Sequence, residues 1–170
     1  MKIGNFFKDE TGKDSLFVFT LDDLKNEKHL FALYLIKQTQ TIYGKNVASL
    51  LELPSKKALI EDLQEIVRQI KLACGNLLIN FEFMIEVKVK RTSYYTISRI
   101  PAVMAAFYFL QTSEYPASRA QLRNMGDLDL TRICDILDKY NVASKQEVEN
   151  AILSSLSLIT RVGNELKQIS

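Results

Sequence analysis

INFEFMIEVKVKR, residues 79–91, decides how the chain is read, because it interrupts segments of helical period with a strict alternation. Ile79, Phe81, Phe83, Ile85, Val87 and Val89 form one set, and Asn80, Glu82, Met84, Glu86, Lys88 and Lys90 the other. Period two over about a dozen residues, enriched in β-branched and aromatic side chains, predicts a strand with its odd-numbered face in the core. A turn at residues 91–93 would lead into a second strand, YYTIS, residues 94–98. A lone hairpin is marginal in water and needs a partner. Residues 1–20 supply one, since KIGNFF and SLFVFT flank the polar segment KDETGKDS. The expectation is a small antiparallel sheet built from 1–20 and 79–98.

Helices fill the remainder. Thr20 with Asp23 resembles a capping box, and Leu24, Phe31, Leu35 and Ile42 recur at helical spacing as far as Gly44. Beyond Pro54, Ser55 caps a second helix striped by Leu59, Leu63, Ile66, Ile70 and Cys74 and ended by Gly75. Pro101 opens AVMAAFYFL, apolar all round, which predicts the central helix of the core at about 101–110. Turn formers in QTSEYPAS, residues 111–118, mark a sub-boundary before a C-terminal helical part, 117–170. Within it, helices are expected at 117–125 and 129–140. The last carries the clearest start signal, Ser144 with Glu147, followed by Val148, Ile152, Leu156, Ile159, Val162, Leu166 and Ile169. It would reach about 39 Å. The fold class is therefore α+β and helix-dominated, a single domain over 1–170 with about six helices around the segment 101–110.

A chain of 170 residues, 47% hydrophobic and 25% charged, buries a real core and has the composition of a globular protein. A net charge of +2 implies no polyanion partner for the molecule as a whole. Its distribution is uneven: no acid occurs from Val87 to Ser113, whereas Lys88, Lys90, Arg91 and Arg99 do. Cys74 and Cys134 fall on apolar stripes and read as reduced core residues. No apolar leader opens the sequence, and the longest apolar run, 100–110, is far short of the roughly 20 residues of a bilayer span. The chain reads as intracellular, with no membrane partner.

Catalytic signals are sparse. His29 is the one histidine and reads as a surface or boundary residue; zinc sites of clustered Cys and His are excluded by count. GKN at 44–46 lacks the flanking residues of a phosphate loop. The acids Asp22 and Asp23, Glu61, Asp62 and Glu65, and Asp127 and Asp129 lie at helix starts or on a polar helix face, where capping and solvation explain them. No catalytic residue, metal or cofactor is assigned.

Two binding readings are left. The first is a non-enzymatic protein-interaction or assembly subunit using helix 144–169, with Ile152, Leu156, Ile159, Val162, Leu166 and Ile169 facing a second copy or another protein. The plainer account of that stripe is packing on the chain's own central helix. The alternative is RNA or DNA binding by a hairpin at 88–99, with Lys88, Lys90, Arg91 and Arg99 meeting phosphates and Tyr94 and Tyr95 stacking on bases. Its plainer account is a solvated edge that discourages aggregation. A helix-turn-helix at 133–152 is disfavoured by Glu147 and Glu149 on its would-be recognition helix.

Overall fold

The computed structural model describes residues 2–8, 14–20, 29–38, 49, 51–116 and 118–169. The chain forms two compact units, Met1–Ser55 and Lys56–Ser170, and residues 111–118 fall inside the second.

In the first unit β1 (Lys2–Lys8) pairs antiparallel with β2 (Asp14–Thr20), Lys2 opposite Thr20 and Lys8 opposite Asp14. Helix α1 (His29–Gln38) follows, with Leu33 and Leu35 buried. The expected start at 20–23 and stop at Gly44 lie largely outside the described residues, as does the side chain of His29.

The second unit contains six α-helices and, among its described residues, no strand. They are α2 (Lys56–Asn80), α3 (Glu86–Ile97), α4 (Ile100–Thr112), α5 (Arg119–Arg123), α6 (Leu128–Asp138) and α7 (Lys145–Ile169), with 3-10 turns at Phe81–Phe83 and Tyr140–Val142. The expected sheet is thereby overturned: residues 79–98 are the end of α2, a 3-10 turn and α3. Gly75 does not stop α2. A glycine inside a helix costs about 1 kcal/mol relative to alanine, and burial of Ile70, Cys74 and Leu77 on either side of it carries the helix through.

The organising helix also differs from expectation. Although α4 buries Ile100, Val103, Met104, Ala105, Ala106 and Phe107, it is α7 that packs on α2, α3, α4 and α6. Helices α2 and α7, each of 25 residues, run antiparallel: the Gln64 amide donates to the Leu166 carbonyl at 3.4 Å, and Phe81 meets Lys145 at the other end. Gly163 allows the close approach, since a Cβ there would stand 3.1 Å from Val67 Cγ1. Fully buried Ile152, Ile159 and Leu166 line this seam, each side chain worth roughly 1.5–3 kcal/mol relative to exposure.

Local signals explain the ends. Glu147 and Ser144 form the expected reciprocal capping box of α7. Asp127 caps α6, its Oδ1 accepting from the Leu130 N–H at 3.0 Å. Ser118 caps α5 in the same way. Helix α4 ends at Ser113, whose φ of 64° is left-handed, and Gly126 turns the chain into α6 at φ 78°.

Candidate interaction surface

Between α2 and α3 the chain leaves the helical path for two residues. The Asn80 side chain donates back to the Asn76 carbonyl, and the Met84 N–H bonds the Asn80 carbonyl at 3.2 Å. Met84 and Ile85 are then extended, with ψ of 136° and 146°, before Glu86 begins α3. Phe81 and Val89 are buried and pin the two sides of this corner. Apolar side chains around them turn outward: Ile79 is 74%, Phe83 87%, Ile85 73% and Val87 76% exposed.

Val142, at 82%, belongs to the same end of the unit. Its 3-10 turn is tied to α3 by Tyr140, whose Oη donates to the Lys90 carbonyl at 2.8 Å and whose ring meets Tyr94 edge-on at 5.1 Å. Lys145, just beyond, places its ammonium 5.1 Å from the centre of the Phe81 ring. Single exposed apolar side chains are ordinary on a protein surface, whereas several large ones gathered at one end mark an interaction surface.

Charges of both signs border these residues. Glu82 and Glu86 come before Lys88, Lys90 and Arg91 along the chain, and all but Lys90 are exposed. Lys90 pairs with Glu86 at 2.9 Å. That hydrogen bond, with the charges of Lys90 and Lys145, holds the Glu86 carboxyl below its ordinary range.

The residues expected to form a protein interface on α7 are placed otherwise. Ile152, Ile159, Val162 and Leu166 are buried within the unit, Leu156 is half-buried, and Ile169 is exposed at the helix end. The exposed apolar group at 79–87 does not form the core-facing strand that its alternation predicts. The signal that finds it is the helical spacing of Val89, Ser93, Thr96, Ile97 and Ile100, which leaves the other odd-numbered residues off the buried stripe.

The basic residues also regroup. A strand would place Lys88 beside Lys90; the helix instead turns Lys90 toward Glu86 and Tyr94 onto Tyr140, and leaves Lys88, Arg91, Tyr95 and Arg99 exposed.

Several other titratable groups are tied into the fold. Cys74 and Cys134 are free thiols in the core; burial pushes Cys74 up to about 11 and raises Cys134 as well. Arg161 donates to Asp127 at 2.6 Å and to Asp129 at 2.8 Å, joining α7 to the start of α6. Burial pushes Asp129 up, but hydrogen bonds from Arg161, Ser157 and Ser154 outweigh it and hold the carboxyl low. Arg123 bridges Asp135 and Asp138. Among the described residues no three His, Cys, Asp or Glu side chains converge as metal ligands, and no helix is long and apolar enough to cross a membrane. Comparison with protein-family models, curated proteins and solved structures finds no match.

Proposed function

We propose that this chain is a non-enzymatic assembly subunit that docks a second copy of itself through the apolar end formed by Ile79, Phe83, Ile85, Val87 and Val142. The observation that carries the reading is the exposure of these five large side chains, four along residues 79–87 and Val142 on the turn that Tyr140 ties to α3. Removing them from water on both partners provides the driving force, roughly 25 cal/mol per Å² of apolar surface.

The choice of a second copy rests on charge order. A two-fold axis near Ile85 sets each patch against itself in reverse. Glu82 of one chain then faces the Lys88 and Arg91 end of the other, so opposite charges meet at the rim while the apolar residues fill the centre. A partner of one charge sign would match only half of this border. The assembly surface therefore moves from the α7 stripe, which supports the subunit internally, to the α2–α3 corner.

Light scattering coupled to size-exclusion chromatography tests the reading. The unaltered chain elutes as a defined multimer, and the exposed double substitution Phe83→Glu with Ile85→Glu converts it to a single chain with its helical circular dichroism intact. A unaltered chain that stays at one-chain mass at every concentration would overturn the proposal.

A further inference from the structure

We infer that the exposed face of α3 and the turn after it form a binding surface for single-stranded nucleic acid, with Lys88, Arg91 and Arg99 meeting phosphates and Tyr95 stacking on a base. This goes beyond self-association: it starts at the rim of the docking patch, which Lys88 and Arg91 border, and runs from there along the outer side of α3.

At 3.6 residues per turn, Lys88, Arg91 and Tyr95 lie within an arc of about 60° of α3 and extend over about 10 Å, and Arg99 follows in the turn that leads into α4. All four are exposed, Tyr95 by 55%, while Val89, Ser93, Thr96 and Ile97 occupy the buried side. The register thus separates the cations that are free to bind from the one that is spent, Lys90, which pairs with Glu86 on another side of the helix. Lys88 and Arg91 have no acidic partner among the described residues. Arg99 donates to the neutral Gln69 amide at 3.2 Å, which steadies the guanidinium without neutralising it. The nearest acid in that group, Glu65, is occupied by Arg68 and Gln69.

Tyr95 distinguishes a single strand from a duplex. Its ring is set edge-on to Tyr94 at 6.3 Å, and Tyr94 in turn meets Tyr140, so the exposed ring has a packed aromatic support behind it. An unpaired base offers the flat surface such a ring needs, and a stacked duplex does not.

The test is fluorescence anisotropy of the full chain with a labelled oligouridylate, titrated at several salt concentrations. Binding is expected at low salt, weakened at least tenfold by Lys88→Ala with Arg91→Ala and Arg99→Ala. The logarithmic salt slope should fall by about 2, the share of three phosphate contacts on a single strand. Tyr95→Ala weakens the single-stranded complex several-fold, and Phe83→Glu with Ile85→Glu leaves it in place, which separates this inference from the assembly reading. Absence of binding, binding indifferent to the triple substitution, equal binding to a duplex with no effect of Tyr95→Ala, or binding only to anionic vesicles would each overturn it. Should the triple variant lose its helical signal, Lys88→Glu alone must still weaken binding.

Discussion

The Lys145 ammonium lies 5.1 Å from the centroid of the Phe81 ring, joining the first residue of α7 to the turn that ends α2. A cation over an aromatic face contributes about 0.5–1 kcal/mol at a site open to solvent. Its larger consequence is positional. It fixes the corner whose next residues, Phe83 and Ile85, point outward.

Two phenylalanines two residues apart should therefore behave oppositely. Phe81 is 2% exposed and Phe83 87%. Phe81→Ala should destabilise the chain by about 3–5 kcal/mol, as expected for a buried aromatic. Phe83→Ala should stay within about 0.5 kcal/mol. Urea unfolding of each under conditions that favour single chains measures the contrast, and equal losses would place both rings in the core.

Acid should loosen the start of α7. Hydrogen bonds from Lys139 at 2.6 Å and from the Ser144 N–H and hydroxyl at 2.8 and 2.9 Å hold the Glu147 carboxyl at about 2, against an ordinary value of 4.5. Between those values the unfolded chain takes up the proton more readily than the folded one. The stabilisation is full above 4.5 and is lost as pH falls toward 2. Glu147→Gln should lower the urea midpoint at neutral pH and flatten its dependence on pH across that window. Parallel profiles for the two proteins would show that the capping box is unlinked to stability.

A buried hydroxyl offers a gain. Ser93 Oγ is fully buried and lacks a hydrogen-bond partner among the described residues. Ser93→Ala removes a polar atom that burial penalises and improves helix propensity, so it should stabilise the chain by about 1 kcal/mol. Thermal unfolding reads the change, and a lower midpoint would mean that the hydroxyl has a partner, such as a bound water.

These residues also show where the sequence was legible. In α7, Ser144 and Glu147 announce the start, and apolar residues at spacings of three and four mark the buried stripe through Leu166. In α3 the same periodicity is hidden, because two of the buried positions are Ser93 and Thr96 rather than aliphatic residues. Its N-cap is Ile85, which provides no capping hydrogen bond. Without a start signal or an apolar stripe, the alternation of 79–89 dominates the reading. Of its six apolar residues only Phe81 and Val89 turn inward. The candidate surface is visible in the sequence as an apolar row, but its alternation points it to the core; the basic residues are visible too, but their grouping requires the helical register.

Disulfide trapping at Ile85 tests the assembly account most directly. A residue beside a two-fold axis meets its own copy, and a disulfide forms only when the two Cβ atoms approach within about 4.5 Å. Native Cys74 and Cys134 are buried and give little background. Ile85→Cys under mild oxidation should yield a covalent species of twice the 19.4 kDa chain mass. Asn164→Cys, exposed about 28 Å farther along α7 than Lys145, should not. Failure of Ile85→Cys to cross-link, or equal cross-linking of both variants, would contradict docking of two copies through this corner.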